Sequence, residues 1–167
     1  MKKSNTQKSV RYIARTALVA AIYAVAAIIS APLQYAGFQF RLSEALCILP
    51  IFMPEAILGL FIGALLANYF TGCVLWDIIF GALATLIGAM LARLLRKLPH
   101  KLLWLTTVPT VISNALIIPF VIIYAYGSEG SYAFFAFTVA VGEIVTAGIL
   151  GSALLYLIKG RYEKILM

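Results

Sequence analysis

The chain has 167 residues, 63% of them hydrophobic and 11% charged, with a net charge of +7 and a mean hydropathy of +1.02. Soluble domains carry about 45–50% apolar and about 25% charged residues, so a water-soluble globule is excluded. One lipid-embedded, all-α bundle over residues 1–167, with no soluble domain of its own, is the expected architecture. The basic balance does not point to nucleic acid, because its charges collect at the ends of apolar stretches, as the positive-inside rule requires.

A short basic arm, residues 1–11, contains Lys2, Lys3, Lys8 and Arg11, and Arg15 extends it into the first helix. That helix is expected from about Tyr12 to Ala31, where Pro32 stops it. It is too long for a signal peptide and lacks a convincing cleavage site. Residues Leu33–Phe40 read as an aromatic, Gly-containing loop. Leu42–Met53 follows, short against the about 20 residues a spanning helix needs. Pro54 and Glu55 open the next helix, whose apolar run Ala56–Thr71 ends at Gly72. Further helices are expected at Cys73–Ala92, at Leu102–Tyr126 with Pro109 and Pro119 inside, and at Tyr132–Ile158 after a Gly-Ser-Glu-Gly-Ser turn.

The remaining charges set the number of crossings. Arg93, Arg96, Lys97 and Lys101 bracket one loop, and Lys159, Arg161 and Lys164 form the tail. If the arm, loop and tail all face the cytoplasm, four crossings precede the loop and two follow it. Six transmembrane helices with both termini cytoplasmic satisfy every cluster, provided that Leu42–Met53 is a real crossing, broken or assisted by its neighbours. Ala17-x-x-x-Ala21, Ala20-x-x-x-Ala24 and Gly59-x-x-x-Gly63 offer close helix packing, as do Gly148, Gly151 and Ser152. Cys47 and Cys73 lack metal spacing and read as small buried hydrophobes. No phosphate-binding Gly-x-x-x-x-Gly-Lys-Ser/Thr loop occurs, so ATP hydrolysis by this chain is not expected.

Ionisable groups in lipid cost about 2.5–3.5 kcal/mol near a helix centre and mark functional sites by default. Arg41 and Glu44 fall at the outer start of the second helix, and Asn68 and Tyr69 near the outer end of the third. Trp76 and Asp77 open the fourth. Asn114 and Glu143 lie deeper, about 16 Å from the outer helix ends at 1.5 Å per residue. Polar residues thus gather toward the outer half, which suits an outward-facing pocket with a closed floor better than a pore. The loop Tyr35–Phe40 is placed to cover it. Each residue also has a plainer reading: an interfacial Arg41–Glu44 pair, a capping Asp77, Asn114 as interhelical glue, Trp76 and Tyr69 as belt aromatics. Glu143 is hardest to explain that way, with no basic residue within two turns. Glu55 and His100 read as helix-start and loop residues.

The run Phe38-Gln39-Phe40-Arg41-Leu42-Ser43-Glu44-Ala45-Leu46, with Leu49-Pro50, Gly59-Leu60-Phe61-Ile62-Gly63, Ala67-Asn68 and Asp77-Ile78-Ile79-Phe80-Gly81-Ala82-Leu83-Ala84-Thr85-Leu86, resembles the QueT family. These are substrate-binding S components of energy-coupling factor transporters, assigned to queuosine precursors. The resemblance extends from the first helix to the carboxyl end. It implies a multi-pass cell-membrane protein that captures a scarce metabolite outside and works with a transmembrane T component and two ATPase subunits. It also implies that Ala17, Ala21, Ala20 and Ala24 dock the T component. No cofactor, metal or catalytic residue is implied.

For a 7-deazaguanine such as preQ0 or preQ1, Glu143 or Glu44 would accept the adjacent ring N–H donors, and Asp77 would hold an aminomethyl cation. Asn68 or Asn114 would read the ring carbonyl and nitrogens, and Trp76, Tyr69 or Tyr35 would stack. Arg41 alone is weak support for an anionic ligand. Three alternatives stay open: an S component for another vitamin, a self-contained carrier, and a small membrane enzyme. The carrier lacks polar residues reaching the inner half; the enzyme lacks a catalytic constellation, the one His being cytoplasmic.

Overall fold

Apolar stretches of helix-forming residues, broken by Pro, Gly and charge, dictate a purely helical chain. A computed structural model describes residues 5–35 and 40–166, with side chains described for residues 6–33 and 40–160. Among the described residues there is no strand, and the chain forms six helical units. Helix 1 is Asn5–Ser30. It starts earlier than expected because Asn5–Arg11 contains no Gly or Pro and several good helix formers, so most of the basic arm is helical. Its α-helical part ends before Pro32, but the chain continues as a 3₁₀ segment, Ala31–Tyr35, into what reads from sequence as a loop. Residues 36–39 of that loop lie outside the described residues.

Helix 2, Leu42–Ile51, is 3₁₀ over ten residues, where runs beyond three or four are uncommon. Helix 3 is Glu55–Phe70 and helix 4 is Leu75–Leu94, prolonged by one 3₁₀ turn, Leu95–Lys97. Helix 5 begins as 3₁₀ at His100–Thr107 and becomes α-helical over Val108–Tyr124. Pro109 sits in the first α-helical turn, where its missing N–H costs nothing. The basic loop at 93–101 is therefore mostly helical. Helix 6 is α-helical over Tyr132–Glu143, π-helical over Ile144–Leu150 and α-helical again over Gly151–Leu166. Helices 1, 4, 5 and 6 are long and apolar enough to cross a membrane, while helices 2 and 3 are shorter apolar helices. Their outward faces expose Ile13, Ile29, Leu75, Leu94, Phe137 and Leu157, as a lipid-facing surface does.

Contacts fix the direction of each helix. A Cβ on Gly59 would meet the Thr16 carbonyl and Val19, and one on Gly63 would meet Ala20 and Tyr23. Helices 1 and 3 therefore run parallel, pressed together through Gly59-x-x-x-Gly63. Helix 2 starts beside the end of helix 1, where the Leu42 N–H donates to Ser30 Oγ at 3.2 Å. It ends beside the end of helix 4, where Arg93 Nη1 donates to the carbonyls of Pro50 at 2.7 Å and Ile51 at 3.0 Å. Gly88 faces Thr110 and Gly81 faces Ile118, so helices 4 and 5 are antiparallel. Tyr132 bonds the Leu116 carbonyl and Tyr156 the His100 carbonyl, so helix 6 reverses helix 5. The six helices alternate in direction. The starts of helices 1, 3 and 5 share one end of the bundle with the finishes of 2, 4 and 6, and that end carries the basic clusters.

At this basic end Arg15 and Glu55 form a salt bridge of 3.0 Å, tying helix 1 to helix 3. Arg93 satisfies two carbonyls at the finish of helix 2, which the tight 3₁₀ geometry leaves without helical donors. Arg93→Ala is expected to cost about 1–3 kcal/mol, the desolvation cost of carbonyls left without a donor, read as a lower melting temperature of the detergent-solubilised chain. An unchanged midpoint would mean that those carbonyls find other donors.

The small face of helix 1 divides in two. Ala20 and Ala24 are buried in the bundle, with Ala20 against Gly63. Ala17 and Ala21 are exposed and line a groove of about 440 Å³ with Ile13, Leu58, Ile62 and Leu66. Ala24 is thus turned into the bundle, Ala20 packs on helix 3 and also lines the floor of this groove, and Ala17 and Ala21 are presented outward.

Candidate functional site

The 3₁₀ form of helix 2 organises the polar residues. With three residues per turn, side chains at i and i+3 eclipse, so Glu44 and Cys47 share one face, preceded by Arg41 at the extended N-cap. All three are buried. Cys47 Sγ accordingly donates to Glu44 Oε2 at 3.0 Å, and the Tyr23 hydroxyl donates to Glu44 Oε1 in a short bond. Arg41 Nη2 donates to Asn68 Oδ1 at 2.7 Å. Arg41 and Glu44 thus reach to different helices, where an interfacial pair was the plain expectation.

Asn68 carries the chain of bonds onward. Its Nδ2 donates to the Asp77 carbonyl at 3.0 Å, and Asp77 Oδ2 accepts from the Tyr126 hydroxyl at 2.8 Å. Asp77 sits in the first turn of helix 4, where a carboxylate complements the helix dipole. It does not cap that helix: the N-cap is Val74, with no side-chain bond. Gly81 is required here, because a Cβ would lie 2.8 Å from Asn68 Nδ2. Arg41, Asn68, Asp77 and Tyr126 form an outer polar layer at the end opposite the basic clusters, and its members satisfy one another.

A deeper layer does not. Glu44, Asn114 and Glu143 are 0%, 1% and 3% exposed. Asn114 Nδ2 and Oδ1, Glu143 Oε2, Thr110 Oγ1 and Ser43 Oγ are buried without a hydrogen-bond partner among the described residues. Asn114 lies beside Glu143 of helix 6, but neither of its amide atoms has a well-formed hydrogen bond among the described residues. Thr110 lies one turn before it on helix 5, and Glu143 faces Asn114 within electrostatic reach of Glu44 and Arg41. An orphaned buried polar atom costs about 1–3 kcal/mol, more when charged, so several in one place mark a site built for a guest. Glu143 is also the last α-helical residue before the π-helical stretch, a widening that is frequent at functional sites.

The aromatic residues expected to stack on a ligand stand elsewhere. Tyr69 and Trp76 are 67% and 58% exposed. Tyr69 packs edge-on to Phe70. Trp76 stacks on Phe80 at 5.8 Å and 24°, in an apolar groove of about 680 Å³ between helices 4 and 5. Both point out of the bundle because each is one residue, about 100° of helical phase, from Asn68 or Asp77. The side chain of Tyr35 lies outside the described residues. Sequence reasoning missed Tyr23, Ser43, Cys47, Thr110 and Tyr126. Of these, Ser43 was visible between Arg41 and Glu44, whereas hydroxyls on apolar helices give no periodic signal.

Tyr23 is the deepest support of Glu44 and also lies 3.5 Å from Thr85 Oγ1. Tyr23→Phe removes a donor from a fully buried carboxylate and is expected to destabilise the chain by about 1–3 kcal/mol, seen in detergent melting curves. Equal stability would mean that Thr85 or water takes over.

Comparison with curated proteins and with solved structures gives no match. A family model described as QueT transporter matches residues 13–160, from helix 1 to helix 6 and across both polar layers, and the chain belongs to this family of multi-pass membrane transporters.

Proposed function

We propose that the chain is the substrate-binding S component of an energy-coupling factor transporter and captures a 7-deazaguanine precursor of queuosine from outside the cell. The observation that carries this reading is the deeper polar layer. Glu143 offers a free carboxylate oxygen, Asn114 a free donor and a free acceptor, and Thr110 a hydroxyl. A deazaguanine presents adjacent N–H donors beside a carbonyl, which is the complement of a carboxylate beside an amide. Charge supports the same class. Glu44, Asp77 and Glu143 stand against Arg41 in the buried cluster, an excess of carboxylates that favours a ligand rich in donors or carrying an aminomethyl cation over an anion.

On this reading all six helices cross the membrane, and the basic end faces the cytoplasm with both termini. Helix 2, with ten residues, covers about 20 Å of the about 30 Å hydrocarbon core. Its short span is tolerated because it is shielded within the bundle. The polar layers then open from the outside, and no ATP-binding loop is present. A T component, docked beside the exposed Ala17 and Ala21, and two ATPase subunits would supply the energy.

Uptake of labelled preQ1 into proteoliposomes tests this. Accumulation is expected only when the chain is reconstituted with the T component and ATPases and ATP is enclosed. Accumulation by the chain alone would make it a self-contained carrier. ATP-driven uptake of a different vitamin would keep the architecture and replace the substrate.

A further inference from the structure

Buried Ser and Thr hydroxyls on the α-helices of this bundle, Thr110 apart, find a backbone carbonyl, on a neighbouring helix for Thr16, which bonds Glu55, and otherwise on their own. Ser30, Thr71, Thr85, Ser113 and Thr146 each bond the carbonyl four residues back on their own helix. Thr106, Thr107 and Thr138 bond the one three back. This is the default for Ser and Thr in apolar helices. Thr110 has the same opportunity on helix 5 and does not take it: it is 0% exposed, yet its Oγ1 has no partner among the described residues.

The backbone at Thr110 is held in place. A Cβ on Gly88 would lie 2.8 Å from Thr110 Cα and 3.0 Å from its Oγ1, so helix 4 is pressed against this turn and only Gly fits opposite. Asn114 follows one turn later on the same face, since i and i+4 align. The Cys47 thiol, bonded to Glu44, lies within reach of the Thr110 hydroxyl across the bundle but forms no well-aligned hydrogen bond with it. A fixed, dry hydroxyl turned away from its own helix and aligned with the orphaned amide of Asn114 is arranged for something outside the protein.

We infer that Thr110 is a ligand-contacting residue, whose hydroxyl reads a hydrogen-bonding group of the planar ring beside those read by Glu143 and Asn114. This rests on the proposed function, and it makes helix 5 a two-point reader: Asn114 supplies an amide and Thr110 a hydroxyl, one turn apart. The ligand class is a flat heterocycle with polar groups along an edge about one helical turn, or about 5–6 Å, long.

Thr110→Val is nearly isosteric and removes only the hydroxyl; Thr110→Ser keeps it. Affinity for preQ1 is measured by calorimetric titration of the purified full chain, alongside its ligand-free melting temperature. The expected result is an about tenfold weaker affinity for the Val variant, equivalent to about 1.4 kcal/mol, with a melting temperature unchanged or raised. The Ser variant should bind within about threefold of the parent, well under the cost of a lost hydrogen bond. Parent-like affinity in the Val variant would overturn the inference and leave the proposed function standing. A melting temperature that falls with affinity in both variants would show a structural hydroxyl and overturn it too. A parent chain that binds no deazaguanine would overturn the proposed function and this inference together.

Discussion

Glu143→Gln is expected to weaken deazaguanine binding by at least about thirtyfold, or about 2 kcal/mol, while leaving the ligand-free chain as stable as the parent or more so. The two halves of this result have different causes. A hydrogen bond to a charged group is worth about 1.5–3 kcal/mol, and an amide offers only one acceptor where the ring presents parallel donors. In the ligand-free chain, Glu143 Oε2 has no partner among the described residues, so exchanging a carboxyl for a neutral amide removes a desolvation cost. Titration calorimetry and a detergent melting curve on the same preparation read both. Binding preserved in the Gln variant would remove Glu143 from the site.

The largest stability effect is expected at Gly63. A Cβ there would lie 2.8 Å from Tyr23 Cβ, 2.9 Å from the Ala20 carbonyl oxygen and 3.2 Å from Ala20 Cα. Two of these are backbone atoms that no rotamer change can move. Gly63→Leu must therefore push helix 1 away from helix 3. Overpacking of this kind costs about 1–3 kcal/mol and occasionally more, and the upper value is expected where backbone meets backbone. At this chain length about 3 kcal/mol corresponds to about 6–12 °C in melting temperature. The same displacement carries the Tyr23 hydroxyl away from Glu44, so binding should weaken as well. Gly160→Ala, which meets nothing within 4 Å, should stay within about 0.5 kcal/mol of the parent. A Gly63→Leu chain that melts with the parent would contradict the parallel packing of helices 1 and 3.

Much of the architecture was legible in the sequence because lipid imposes strong rules. Four long apolar helices and two short ones lie on the hydropathic stretches, with helix 1 starting seven residues before and helix 6 ending eight residues after the expected bounds, and Gly59-x-x-x-Gly63 marks a real close approach. The departures come from groups that hydropathy does not weigh. Pro32 ends an α-helix without ending helical structure, since a proline fits the first turn of a 3₁₀ segment. Arg93 prolongs helix 4 because its guanidinium has carbonyls to satisfy on helix 2. The 3₁₀ winding of helix 2 and the π-helical stretch after Glu143 lie close to each other in the bundle, where Gly151, just past that stretch, faces Ala45. No local signal announces either.

The candidate site was legible in its ionisable members. Arg41, Glu44, Asn68, Asp77, Asn114 and Glu143 are all buried, as expected of costly groups in lipid. The division between a self-satisfied outer layer and an unsatisfied deeper one needed geometry. Trp76 and Tyr69 illustrate the limit most clearly. They adjoin Asp77 and Asn68 in sequence, and one residue of helical phase, about 100°, turns them toward lipid.

The central claim is that the deeper layer is a preformed binding site for a deazaguanine ring. Its most direct test is a titration of preQ1 into the purified, detergent-solubilised chain alone, without T component or ATPases. The account predicts saturable binding at one ligand per chain, with guanine and unrelated vitamins failing to compete at similar concentrations. No saturable binding of any deazaguanine, by a chain that remains folded, would contradict it.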